Sequence, residues 1–408
     1  MDRSSVPCPA WLVQRLKKLG GSVSFQQFMD WALNDPEHGA YGKGRLRIGP
    51  GGDFVTSPSL GSDFAQLLAI QVGEWLLQIR AETASDQILT LVELGPGEGD
   101  LAADLIQSLA GLHPELLGQL QLVLVEPNTS MVRRQRQRLE GNTCVPLRWL
   151  SLEQMAEKPV TGVMIAQEVL DALPVERLVW RGQQFLRQGV SLINTDEGSN
   201  LCYSDLPLSD GLRASLDHGL TQIGVSLPPD SSPDGWCSEW HSGLAPWFSK
   251  SAAALSRGRL LVVDYALEAR RYYSLARSNG TLIAYKNQQA SSNLLREPGH
   301  WDLTAHLCIE TLVAQALAQG WSLLGEVRQG QALLALGLAE RLHALQKMPA
   351  EQLPLALQRR EALLRLVDPA GLGEFRWLAF EIGSSVRTNR GCCRFLQEPA
   401  FADDEGRF

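Results

Sequence analysis

Residues 88–94, Ile88-Leu89-Thr90-Leu91-Val92-Glu93-Leu94, are nearly all apolar, and the chain then turns at once through Gly95-Pro96-Gly97-Glu98-Gly99-Asp100. A strand that is apolar on both faces has to be buried on both faces, which is the situation inside a parallel sheet flanked by helices. The texture recurs. Leu122-Val123-Leu124-Val125-Glu126 reads as a second strand, 145–150 and 162–166 as a third and fourth, and Leu260-Leu261-Val262-Val263-Asp264 as a fifth. Helical segments at 101–109 and 130–139 separate them. Apolar strands alternating with helices predict an α/β fold built on a doubly wound parallel sheet.

Upstream, Ser24-Phe25-Gln26-Gln27 has the form of a capping box, and its helix is expected to stop at Asn34-Asp35-Pro36. A Gly-rich stretch follows, Gly39-Ala40-Tyr41-Gly42-Lys43-Gly44 to Gly49-Pro50-Gly51-Gly52-Asp53, too long for a tight turn and typical of a functional loop. A helix is expected after Pro58. Residues 175–180 and 184–190 read as a hairpin around Gly182, and 191–250 as a polar, turn-rich insertion after strand four. Farther on, 303–318 and 351–366 read as helices, and 321–327 and 375–380 as antiparallel closing strands. Asp302 and His306, spaced i, i+4, are expected as a pair on one helix. The division this predicts is a helical N-terminal arm over 1–85 and a catalytic domain over 86–408, with the 191–250 insertion and largely helical decoration over 290–370.

Composition narrows the function. The 408 residues are 44% hydrophobic, enough for a sizeable core, and the formal charge of −8 disfavours binding to a polyanion. The basic run Arg133-Arg134-Gln135-Arg136-Gln137-Arg138 therefore reads as a solvated helix face, and no nucleic-acid partner is expected. Seven scattered cysteines without a CxxC pair predict neither a zinc site nor a disulfide framework, and a reducing compartment: the cytoplasm, with an organelle matrix left open. The vicinal Cys392-Cys393 reads as two small apolar residues. No apolar run is long enough to span a membrane, and residues 1–19 read as an amphipathic first helix rather than a signal peptide.

The glycine loop sits where open α/β sheets bind ligands, at the carboxyl end of a strand. A dinucleotide fingerprint needs a small residue where Asp100 stands, and a diphosphate would be repelled by Glu93, Glu98 and Asp100. S-adenosyl-L-methionine carries a sulfonium, an ammonium and no phosphate, so an acidic G-x-G-x-G loop suits it. Glu126, ending strand two, can accept hydrogen bonds from ribose hydroxyls. After strand four, Ala166-Gln167-Glu168-Val169-Leu170-Asp171-Ala172-Leu173-Pro174 brings Glu168 and Asp171 to the same edge. Paired carboxylates there can hold a guanidinium and take up its proton. Helix capping is the competing reading for Asp171. Asp264-Tyr265 and His38 are weaker candidates, and no metal site is expected.

These segments together resemble the MidA-type methyltransferases, which are similar to the mitochondrial complex I assembly-factor methyltransferases. The resemblance rests on Asp35-Pro36-Glu37-His38-Gly39-Ala40-Tyr41-Gly42, Gly52-Asp53-Phe54-Val55-Thr56-Ser57-Pro58, the glycine loop, the post-strand-four motif, Asp264-Tyr265 and Arg328-Gln329-Gly330. It implies a class I, Rossmann-like methyltransferase fold with a seven-stranded sheet. The implied activity is S-adenosyl-L-methionine-dependent arginine methylation of a partner protein, in the mitochondrial members a complex I subunit. It assigns Glu93, Gly95, Gly97, Gly99 and Glu126 to the cofactor, where Gln167 is also expected, and Glu168, Asp171 and Asp53 to catalysis, with Asp53 closing over the cofactor. Gln167 stands where the family usually has Asn; Ser59, Ala266 and Gln289 are further departures. A small-molecule methyltransferase and a weakly active cofactor-binding assembly factor are the alternatives, with a nicotinamide oxidoreductase more distant. The oligomeric state is not readable.

Overall fold

The computed structural model describes residues 5–196, 198–383 and 393–398. Its centre is a seven-stranded sheet: β1 (Leu89–Leu94), β2 (Leu120–Val125), β3 (Leu147–Trp149), β4 (Val160–Gln167), β5 (Leu255–Asp264), β6 (Ser322–Arg328) and β7 (Arg376–Ile382). The spatial order is β3-β2-β1-β4-β5-β7-β6. All neighbours are parallel except β7, which runs antiparallel to both β5 and β6. This is the class I methyltransferase sheet. Its strand order reverses between β1 and β4, which opens a crevice at their carboxyl ends.

The apolar runs owe their continuity to the two cores they feed. Leu89, Leu91, Leu122, Leu124, Val163 and Ile165 pack on one side, with α3 (Asp63–Ala81) and α4 (Asp100–Leu112). Val92, Leu94, Val123, Met164 and Ala166 pack on the other, with the helix Leu244–Ala254. Successive residues of a strand point to opposite faces, so a strand between two cores has no polar positions to spare. Burial of each such leucine, valine, isoleucine or methionine stabilises by about 1.5–3 kcal/mol.

The N-terminal segment forms α1 (Ala10–Lys18), the strand Ser22–Ser24 and α2 (Phe25–Asn34). Ser24 caps α2 by accepting from the Gln27 amide at 3.1 Å, and Asp35 ends it, its Oδ1 accepting from the Glu37 and His38 amides. Residues 175–243 leave the main sheet. Strands Glu176–Arg181, Gln184–Thr195, Gly198–Leu206 and Cys237–Trp240 form a second, antiparallel sheet with Val6–Pro7 at one edge. Ser22–Ser24 also joins it. The expected hairpin is therefore one part of a larger sheet that runs through residue 191 into the insertion. It stitches the arm to the excursion: Val23, Phe25, Val190 and Leu201 share one core.

Two expectations change. Asp302–Thr304 is a strand paired with Ile283–Lys286, and the helix begins only at Ile309. Asp302 and His306 thus do not share a helix and do not pair; the apolar spacing of 303–318 continues across a strand too short to announce itself. Cys392 lies outside the described residues, and Cys393 is buried.

Gly162 of β4 shows how close the central strands lie. Its φ is +155°, and a Cβ there would stand 1.9 Å from the Thr90 carbonyl oxygen of β1. Gly162→Ala should destabilise the protein by more than about 2 kcal/mol. Chemical denaturation reads this as a lowered midpoint, and an unchanged midpoint would contradict the close approach.

Candidate active site

Three glycines turn the chain from β1 into α4, with φ of +63° at Gly95, +52° at Gly97 and +86° at Gly99. Gly97 is the tightest against the upstream loop, since a Cβ there would meet Ile48 Cδ1 at 2.8 Å. Behind the loop stands α5 (Thr129–Leu139). Its buried Gln135 donates from Nε2 to the Gly97 carbonyl at 2.9 Å and to Glu126 Oε2 at 3.2 Å, and accepts from Trp149 Nε1 at 3.0 Å. Gln135 therefore fixes the glycine loop relative to the acid after β2. Arg134 and Arg138 of the same helix pair with Glu98 and Asp100. The basic face is not simply solvated: two of its arginines neutralise the outer acids of the glycine loop.

The inner acids have no such partners. A cavity of about 400 Å³ lies at the carboxyl ends of β1, β2 and β4, lined by Glu93, Gly95, Gly97, Glu126, Gln167 and Glu168, with Ile48, Phe54 and Met131 as apolar walls. Burial pushes Glu93 up to about 8, the charge of Asp100 adding to it, and its Oε2 has no hydrogen-bond partner among the described residues. Burial also raises Glu126, against the Asn128 amide at 2.9 Å and Gln135. Gln167 donates from Nε2 to Glu168 Oε1 at 2.9 Å, while its own buried Oε1 is unpartnered among the described residues.

The turn after β4 is built around Asp264. Its Oδ2 accepts from the amides of Val169, Leu170 and Asp171 at 3.2, 2.9 and 3.3 Å, and its Oδ1 from the Tyr265 amide at 2.8 Å. These four amide donors favour its ionised form, against burial, which pushes it up to about 7. Glu168 enters this turn at φ +54°, a conformation rare for a side chain with a Cβ. Burial pushes Glu168 up to about 8, with the charge of Asp264 adding to it and the Gln167 side chain and Ser57 amide holding it down. Asp171 is driven well above the carboxylate range by burial and then by Asp264, Asp302 and Glu168.

Asp171 faces a second cavity, of about 230 Å³, which shares Tyr41, Phe54 and Glu168 with the first. Four carboxylates line it, Asp53, Glu168, Asp171 and Asp302, together with Tyr41, Tyr265 and Tyr285. Tyr41 donates to Asp302 Oδ1 at 3.1 Å, and burial pushes Asp302 up to about 7. Asp53 was expected over the cofactor, but Phe54 and Thr56 of its loop line the larger cavity while Asp53 lines the smaller. Both its oxygens accept backbone amides, Oδ2 from Arg47 at 3.0 Å and Oδ1 from Asn287 at 3.1 Å. It thereby clasps the Gly-rich loop to the hairpin of Ile283–Lys286 and Gln289–Ser291. Among the described residues no cluster of three or more His, Cys, Asp or Glu is placed to hold a metal ion.

An acid-rimmed cavity at the reversal point of a doubly wound sheet suits a cationic nucleoside cofactor. Residues 68–327 match the family described as "Putative S-adenosyl-L-methionine-dependent methyltransferase", and the chain belongs to that family. The mitochondrial protein arginine methyltransferase NDUFAF7 of Danio rerio is 27% identical over 391 residues, covering 90% of this chain and 85% of its own. The Homo sapiens protein of the same name is 25% identical, covering 88% and 79%. A Burkholderia thailandensis protein described as a "likely methyl transferase", solved bound to S-adenosyl-homocysteine, is 26% identical with a TM-score of 0.75, covering 93% of this chain and 96% of that one.

The enzyme is accordingly an S-adenosyl-L-methionine-dependent methyltransferase. The residues fit that cofactor: the unpartnered Glu93 and Gln167 oxygens await donors, and the glycine loop leaves room where side chains would fill it. Carboxylates near 8 bind a cation in their ionised form, so affinity for S-adenosyl-L-methionine should rise from about pH 6.5 to about pH 8.5, with proton release. The rise should be shallower for S-adenosyl-homocysteine, whose sulfur is neutral. Calorimetry in two buffers checks both; a flat profile would contradict the buried-acid account. Gly97→Val should abolish binding of either ligand, read in the same titration.

Proposed function

We propose that the enzyme methylates arginine in a partner protein. The observation that carries this reading is the smaller cavity, where four carboxylates and three tyrosines lie beside the cofactor cavity and share Glu168 with it. A guanidinium is planar, always charged and weakly hydrated, and carboxylates take it through paired N–H···O bonds. Arg365 is the one cation among the described residues lining this cavity, against four carboxylates; a neutral acceptor would leave Glu168, Asp171 and Asp302 favouring their protonated forms. The names of the mitochondrial relatives support the same acceptor. The family resemblance points further, to a subunit of a respiratory-type complex, met in the cytoplasm or an organelle matrix. In this reading residues 1–85 are an arm that lends Tyr41, Asp53 and Phe54 to the site, and 86–408 are the methyltransferase domain.

The cofactor supplies an electrophilic methyl group. Glu93, Gly95, Gly97 and Gln167 would hold it, with Glu126 accepting from its ribose hydroxyls, while Gly99, which does not line the cavity, turns the loop into α4 against Leu139 of α5. Glu168 and Asp171 hold the acceptor guanidinium, and Glu168, common to both cavities, orients the attacking nitrogen and accepts the proton it sheds. A guanidinium arriving beside Glu168 and Asp171 favours their ionised forms. Asp302, fixed by Tyr41, adds negative charge at the same wall.

With methyl-labelled S-adenosyl-L-methionine, a discrete protein of a cell lysate should be labelled. Asp171→Asn should lower that labelling by about 100-fold or more while S-adenosyl-homocysteine still binds. Label confined to small molecules would sink the protein-acceptor reading.

A further inference from the structure

We propose that Gln329 is a positioning residue for the acceptor cavity, tying the floor of that cavity to its rim. The inference rests on the arginine-acceptor reading. Gln329 follows β6 directly, and its side chain is fully buried. Trp377 Nε1 donates to its Oε1 at 3.3 Å, and its Nε2 donates to the Leu366 carbonyl at 3.0 Å. These two partners dictate which end of the amide points which way, because an indole only donates and a carbonyl only accepts. Between them sits the Ser57 hydroxyl, 3.2 Å from Oε1 and 3.1 Å from Nε2, itself fully buried.

Two of these partners lead to the cavity. The Ser57 amide donates to Glu168 Oε1 at 3.3 Å, so the loop position set by Gln329 sets a donor on the floor. Leu366 ends the helix Leu353–Leu366, and its neighbour Arg365 is the one cation among the described residues lining the smaller cavity. Trp377 belongs to β7 and anchors the amide to the sheet. Gln329 touches neither cofactor nor acceptor. One side chain therefore holds in register the loop that meets Glu168, the helix end that carries Arg365, and the strand behind them. No apolar residue of similar size can do this, since it would leave an indole N–H, a hydroxyl and a carbonyl buried without partners.

The test is calorimetry with two probes, S-adenosyl-homocysteine and acetyl-arginine amide, the latter added to the protein saturated with the former. Gln329→Leu should weaken acetyl-arginine amide about tenfold and leave S-adenosyl-homocysteine within about twofold. The Ser57 amide favours the ionised Glu168, so its loss should move the rise of arginine-amide affinity with pH to higher pH. Ser57→Ala keeps the backbone amide and removes one hydroxyl. It should reproduce part of the effect, with the double variant no worse than Gln329→Leu alone, and it carries the test should Gln329→Leu fail to fold. Equal weakening of both probes, an unshifted pH profile or additive effects would overturn the role of Gln329. If the unaltered enzyme does not bind acetyl-arginine amide, the arginine-acceptor reading falls and takes this inference with it.

Discussion

The Asp264 carboxylate, at the carboxyl end of β5, receives the amides of three consecutive residues that follow β4. Because β5 lies next to β4 in the sheet, its last residue stands where β4 lets go of its chain. A fixed anion there gathers Val169, Leu170 and Asp171 into a tight turn, much as a backbone nest gathers around a bound anion. That turn obliges Glu168 to adopt its positive φ and turns Glu168 and Asp171 toward the crevice. The same charge raises the pKa of Asp171. One buried interaction thus shapes the turn and sets part of its electrostatics.

Charge is sorted by depth along this edge. Glu98 and Asp100, at the outside of the glycine loop, are matched by Arg134 and Arg138 of α5. Glu93, Glu126, Glu168, Asp171 and Asp302 are deeper and raised by burial, with Arg365 the one cation among the described residues lining the smaller cavity. Burying so many acids is tolerable only where protonation or a bound cation relieves them, which places them at a functional site. The N-terminal arm adds to the same wall through Tyr41 and Asp53, and Asp53 is clasped in place by the Asn287 amide.

Much of the sheet was legible in the residues because β1, β2, β4 and β5 are apolar on both faces. The acids at their carboxyl ends followed from position, so Glu93, Glu126, Glu168 and Asp171 could be singled out. The second sheet was only half visible, because Gln184–Thr195 and Gly198–Leu206 are mostly half-exposed strands with much polar content. Residues recruited over long separations were missed or misplaced. Tyr41 meets Asp302 across 261 positions, and Asp302 was assigned to a helix because its three-residue strand has no local signature. Gln135 was hidden in an arginine run whose composition drew attention to charge. Gln329 and Arg365 carry no chemistry in isolation; their neighbours Ser57 and Glu168 give them meaning, and local spacing does not display such contacts.

In the proposed function the smaller cavity is a guanidinium site joined to the cofactor cavity through Glu168. A crystal structure of the enzyme with S-adenosyl-homocysteine and an arginine-bearing peptide tests it most directly. The guanidinium should be seated between Glu168 and Asp171, with a nitrogen directed toward the sulfur of the cofactor product. A peptide arginine bound elsewhere, with the cavity between Glu168 and Asp302 left to solvent, would contradict it.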